Sequence, residues 1–312
     1  MLTSKALEGF LLDYSIGHAR ATTRLRGLYL NLFVKWSGDL EISKITPEIL
    51  RLWFQYLAHD YSPKRPLSST RVGDPLSAVA RDNHYKGIKV FFQWLFDNKL
   101  IGSNPAKSLP RPKVPDNRPD PFTVGEIKRL LISCQEIVDK NGIHRRRPTA
   151  KRNMALILLL LDTGVRLGEL SRLQMADVRL DTREILVNAY DTGLKSRSRV
   201  IPISPRTANA LWIYLNAGIN RPGSQVLFDL NTRSVHKLLL QLGKSAGVPN
   251  TRAHRFRHTF AIQYLRNNGD VFSLQRILGH NSLDMVNRYL KLAQTDLQSA
   301  HNRASPVDNW KL

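Results

Sequence analysis

Between residues 252 and 289 the chain gathers side chains that together suit a phosphate. His254 and Arg257 stand three apart, so on a helix they share one face. Leu278-Gly279-His280 follows, and Tyr289 lies nine residues beyond His280. An arginine offers a planar fork to phosphate oxygens. An imidazole gives or takes a proton near neutral pH. A tyrosine hydroxyl can be a covalent nucleophile. Upstream, Thr163-Gly164-Val165-Arg166-Leu167-Gly168-Glu169-Leu170 adds a second arginine at the start of a helical run that we read as Leu167–Leu173. Glu169 is read as structural, holding the local helix or a neighbouring arginine.

His258 sits beside this set and is read as a packing or hydrogen-bonding residue. Paired histidines four apart, such as His254 and His258, also occur in zinc sites. No glutamate follows His254, however, and Arg255 and Arg257 lie between the pair, which disfavours a metal. No metal is therefore expected, and no Gly-x-x-x-x-Gly-Lys-Ser/Thr loop points to a nucleotide cofactor.

The elements that must position these groups are legible in outline. Residues 1–110 read as all helical. Thr22–Trp36 carries Leu25, Leu28, Leu30, Leu32, Phe33 and Trp36 near helical spacing. Thr46-Pro47-Glu48 is a helix start, a capping hydroxyl followed by proline at the first helical position. Tyr61–Pro75 reads as a loop and Ala78–Phe96 as another helix, and the aromatic residues of these helices are taken as core. Residues 108–121 hold five prolines and read as an extended linker. Thr123-Val124-Gly125-Glu126 restarts helix with a capping-box pattern. Met154–Leu161 is too short to span a bilayer and reads as a buried helix. Glu184–Tyr190 and Arg199–Ile203 read as strands joined by the turn-rich Asp191–Ser198. Ser234–Ala246 is a further helix, and Leu290, Leu292 and Leu297 suggest a last one after Tyr289.

The 312 residues suffice for about two domains, and 42% hydrophobic content supports a packed core. The formal charge of +22 calls for a polyanionic partner, nucleic acid first. Basic residues outnumber acidic ones 15 to 9 up to position 110 and 32 to 16 beyond it, so the C-terminal part carries most of the excess. Arg20, Arg24, Arg26, Arg71, Arg81, Lys86 and Lys89 in the first part are candidates for phosphate contact. Arg145-Arg146-Arg147 with Lys151-Arg152 reads either as a solvated loop or as a DNA-backbone contact. No apolar run or leader suggests a membrane. The single cysteine, Cys134, is taken as a small core residue, and the whole fits a reducing cytoplasm.

His254-Arg255-Phe256-Arg257-His258-Thr259-Phe260-Ala261 resembles the His-x-x-Arg box of the tyrosine recombinases, the phage-integrase family. Leu278-Gly279-His280 with Tyr289 resembles that family's second box, and Thr163–Leu170 the box carrying its first catalytic arginine. The resemblance implies a mainly α fold with a small β-sheet (α+β). It divides the chain into a helical core-binding domain over 1–107, the linker 108–121 and a catalytic domain with a C-terminal tail over 122–312. It further implies six catalytic residues: Arg166, Lys195, His254, Arg257, His280 and the nucleophile Tyr289. Lys195 would be the lysine of the family's β-hairpin. The family often sets that lysine one place earlier, where this chain has Leu194, and Arg197 is the alternate.

By that resemblance the protein would be a site-specific DNA recombinase, cutting and rejoining double-stranded DNA through a 3′-phosphotyrosyl intermediate without a cofactor. Four protomers would act on two DNA sites, with room for accessory proteins, in the cytoplasm and associated with the nucleoid. Three rivals share part of the pattern: a type IB topoisomerase, a non-catalytic DNA-binding regulator and a metal-dependent nuclease. Sequence-specific binding, loss of function in Tyr289→Phe and sensitivity to chelator separate them.

Overall fold

A computed structural model describes residues 1–62, 75–115, 120–138, 144–189, 198–220, 223–279, 286, 289–290, 301 and 305–310. The chain forms two compact units, Met1–Asn117 and Arg118–Leu312. It is mainly helical with small antiparallel sheets, in agreement with the expected fold class.

The first unit holds α1 (Thr3–Gly17), α2 (Arg20–Ser37), α3 (Pro47–His59) and α4 (Ala78–Asp97). The Thr46 hydroxyl accepts from the Ile49 amide at 3.4 Å and Pro47 opens α3, so the predicted cap forms. Leu50, Trp53 and Leu57 on α3 and Ile88, Phe91, Phe92 and Leu95 on α4 recur three to four apart and are buried. Phe33 meets Trp53 edge-on at 5.6 Å, so these aromatics are core. His84 is buried among them, 4.5 Å from the Tyr29 ring, and burial lowers its pKa to about 4.

Several of the basic residues of this unit have internal partners. Lys86 pairs with Asp82 at 2.7 Å, and Lys89 donates to the Ala106 and Lys107 carbonyls. The linker starts later than the proline pattern suggested. Leu109 is buried, Tyr85 Oη donates to its carbonyl, and Arg111 grips Asp82 through two bonds of 2.7 and 3.0 Å. The buried Asp82 carboxylate needs cations, and the expected linker supplies one. The loop expected over 61–75 lies, apart from its ends, outside the described residues.

The second unit begins with α5 (Val124–Gln135), whose capping box is complete: Thr123 Oγ1 accepts from the Glu126 amide and Glu126 from the Thr123 amide. A short hairpin follows, β1 (Glu136–Val138) against β2 (His144–Arg146), where the sequence reading left Arg145-Arg146-Arg147 as either a solvated loop or a DNA-backbone contact. Arg147 corrects the reading of the basic patch. It is buried, and its Nε donates to the Ser133 and Glu136 carbonyls at 2.9 and 2.8 Å. The open carbonyls at the end of α5 draw the guanidinium inward.

Next comes α6 (Ala150–Thr163), where Ala155, Leu156, Ile157, Leu159 and Leu160 are all fully buried. Its stretch Met154–Leu161 is apolar all round and so must lie in the core, and α6 packs against α5, α8 and α10. The expected run Leu167–Leu173 is a single turn, α7 (Leu167–Leu170), which tightens at its end, where the Arg172 amide donates to the Glu169 carbonyl three residues back. Strands β3 (Val178–Arg179), β4 (Glu184–Val187) and β5 (Arg199–Pro202) form one sheet in that order. Glu184 faces Pro202 and Val187 faces Arg199, so β4 is shorter than predicted. Further helices among the described residues include α8 (Pro205–Leu215), α9 (Thr232–Ser245), α10 (Ala253–Arg266) and α11 (Val271–Leu278), with a short terminal turn Pro306–Asn309.

Cys134 is buried in the main core, and burial pushes its thiol up to about 12. A separate smaller core joins Ala261, Ile262 and Leu265 of α10 to Leu274 and Leu278 of α11, Val286 and Tyr289. Among the described residues no helix is long and apolar enough to cross a membrane.

Candidate active site

Two glycines shape the floor of the site. Gly164 ends α6 with φ +60°, and a Cβ there would come within 2.7 Å of Phe260 Cδ1. Its carbonyl accepts from Arg257 Nη1 at 2.8 Å. Gly279 ends α11 with φ +63°, a left-handed cap that leaves the last carbonyls of that helix open. Arg257 Nη2 donates to the Leu278 carbonyl at 2.8 Å, and Arg166 reaches the Leu278 and Gly279 carbonyls at 3.3 and 3.4 Å. Two arginines from separate segments thus converge on one helix end. Arg257 is 3% exposed. Burial first, and the Arg166 charge second, lower its pKa to about 10, so it stays cationic at neutral pH.

Glu169 holds this arrangement from behind. Its carboxylate caps the Arg166 amide at 2.9 Å and pairs with Arg166 Nη1 at 3.1 Å. Arg199, at the start of β5, grips the same carboxylate with bonds of 3.1 and 2.8 Å and donates to the Ile277 carbonyl at 2.6 Å. Burial would raise the pKa of Glu169, but the Arg199 bond and charge, and then Arg166, prevail and hold it at about 2. The strand, the short helix and the end of α11 are therefore tied by one buried carboxylate.

The third wall is α10. Arg255 on its outer face stacks over Phe122 at 4.0 Å and pairs with Asp120 and Glu126, which anchors the helix. Thr259 accepts from the Phe122 amide at 2.8 Å. On the inner side, Tyr289 is 4% exposed with its ring in the smaller core. The Tyr289 hydroxyl lies 3.0 Å from His258 Nδ1. The His254 and His258 rings meet edge to face, centroids 4.1 Å apart, and His254 is exposed.

Of the six residues named from sequence, Arg166 and Arg257 meet at the end of α11, while His254 and Tyr289 meet around His258. Lys195, its alternate Arg197, and His280 lie outside the described residues. Sequence reasoning missed Arg199. The available signal was Glu169 itself, since a carboxylate inside a buried arginine box needs more than one cation. It also gave His258 no link to Tyr289, because no local pattern joins positions 31 apart. Among the described residues no group of three or more His, Cys, Asp or Glu could hold a metal.

Residues 122–296 match the phage integrase family, more than half of the chain. The chain belongs to that family, the tyrosine recombinases. Tyrosine recombinase XerA of Thermococcus kodakarensis is 28% identical over 299 residues, covering 94% of this chain and 92% of that protein. Tyrosine recombinase XerC of Salmonella typhi is 29% identical over 228 residues, 70% of this chain and 71% of that one. In fold, the Tn1549 transposon integrase solved with circular intermediate DNA superposes with a TM-score of 0.74 at 19% identity, covering 97% of this chain and 99% of that one. A lambda integrase dimer bound to a core site superposes with a TM-score of 0.67 at 17% identity, covering 91% and 97%.

Proposed function

We infer that this protein is a tyrosine-type site-specific recombinase that cuts and rejoins double-stranded DNA through a 3′-phosphotyrosyl intermediate. The observation that carries the reading is the convergence of Arg166 and Arg257 on the end of α11, beside an α10 face bonded to the Tyr289 hydroxyl. Attack by Tyr289 Oη on a backbone phosphate forms the O–P bond and expels the 5′ oxygen. Charge grows on the non-bridging oxygens, where two guanidinium groups fixed before reaction stabilise it. His280 adds a donor and Lys195 protonates the 5′ oxygen; both roles rest on the sequence boxes. His254 serves as base or proton relay. The phosphodiester energy is kept in the covalent bond, so rejoining needs no nucleotide.

The first unit is read as the core-binding domain and the second as the catalytic one, both gripping DNA through the positive excess. Exchange of two duplexes calls for four protomers in the cytoplasm, on the nucleoid, with room for accessory proteins. The topoisomerase and regulator readings are not favoured, since the relatives found are recombinases and integrases.

The test is a suicide-substrate assay. Wild type and Tyr289→Phe are incubated in chelator with nicked duplexes carrying sequence from beside the gene, then denatured. The expected result is a protein–DNA adduct from wild type alone. An adduct that survives Tyr289→Phe, or that needs added metal, overturns the reading.

A further inference from the structure

His258 was the residue that the sequence left with a packing role. In the structure it touches the reacting atom. Its Nδ1 lies 3.0 Å from Tyr289 Oη, a hydrogen-bond distance, with the rings tilted and their centroids 5.5 Å apart. The neutral imidazole with its proton on Nε2 presents Nδ1 as the acceptor for the hydroxyl. His254 stands one turn earlier on α10, its ring edge to face with that of His258 at 4.1 Å. His254 is exposed, His258 is half-buried and Tyr289 is buried. The three side chains therefore form a graded path from the hydroxyl to solvent, with His258 in the middle.

We propose that His258 is the base that takes the Tyr289 proton, with His254 as the relay behind it. This rests on Tyr289 being the nucleophile. In the forward step the Oη–P bond forms, the P–O5′ bond breaks, and the tyrosine proton passes to His258 Nδ1. The 5′ oxygen takes its proton from a separate acid. On rejoining, the 5′ hydroxyl attacks, the Oη–P bond breaks, and His258 returns the proton. Arg257, on the same helix, carries a charge that acts on Tyr289, and it stabilises the oxygen as it loses its proton.

The experiment is single-turnover cleavage of suicide duplexes by wild type, Tyr289→Phe, His258→Ala and His258→Gln. Each is run with the ordinary 5′ oxygen and with sulfur in the bridging 5′ position. Sulfur leaves without a proton, so it relieves a lost leaving-group acid and leaves a lost nucleophile base unrelieved. Loss of a general base slows reaction by about 100-fold or more. Both His258 variants are expected to lose at least that much on either substrate while binding DNA as wild type does. Glutamine keeps an oxygen within reach of the hydroxyl but takes no proton, and it preserves the packing that alanine removes. The proposal is overturned if His258→Gln cleaves within about threefold of wild type, or if sulfur restores His258→Ala. Absence of an adduct from wild type, or its persistence in Tyr289→Phe, overturns the recombinase reading instead.

Discussion

Replacing Glu169 by glutamine isolates the carboxylate that ties α7, β5 and α11. The side chain is almost fully buried and pairs with Arg166 at 3.1 Å and Arg199 at 2.8 Å. Its pKa of about 2 against 4.5 when exposed corresponds to about 3 kcal/mol, at ~1.4 kcal/mol per pH unit. Removing one partner of a buried pair costs ~3–5 kcal/mol, because the other charge is left uncompensated. Arg199, whose side chain is 8% exposed, is that charge. The two routes agree on a loss of about 3 kcal/mol.

The assay is urea denaturation at neutral pH, read by hydrogen exchange of peptides from the second unit. The double variant Glu169→Gln/Arg199→Gln removes both charges and is expected to recover part of the loss. The pH dependence has a definite sign. The folded pKa is depressed, so this stability is present above pH 4.5 and disappears as pH falls from 4.5 toward 2. A Glu169→Gln loss under about 1 kcal/mol, or strictly additive single and double variants, refutes the clamp.

Two further perturbations test other parts of the structure. The folded pKa of His84 lies near 4 against 6.5, so the first unit loses about 3 kcal/mol as pH falls from 6.5 to 4, with full stability above that window. Melting of wild type and His84→Gln across this range checks it, and an equal pH slope in both refutes the assignment. Gly164→Ala forces a Cβ into Phe260 at φ +60° and shifts the carbonyl that Arg257 binds. A destabilisation of ~1–3 kcal/mol, with a fall in adduct formation larger than the stability loss explains, is expected from thermal melting and suicide cleavage.

Local chemistry was readable from the chain. The caps at Thr46 and Thr123, the apolar circumference of α6 and the aromatic faces of α3 and α4 depend on residues within a turn or two of each other. The same holds for the arginine and histidine boxes, whose residue types and short spacings are themselves the signal. Element ends were less legible. β4 stops at Val187 because its partner ladder stops at Arg199, and α7 ends where the Arg172 amide bonds the Glu169 carbonyl three residues back instead of four. Arg147 looked like surface charge until the carbonyls of α5 were seen to claim it.

Sequence by itself determined the family and the order in which its residue boxes run along the chain. Tertiary structure alone decided that Arg199 shares Glu169 with Arg166, that Gly164 and Leu278 offer their carbonyls to one guanidinium, and that His258 meets Tyr289. Each of those contacts joins positions from 21 to 93 residues apart, except the Arg166–Glu169 pair, which lies within a single turn. They exist because buried charges and open helix ends must find partners wherever folding brings them, and no local pattern states which ones those will be.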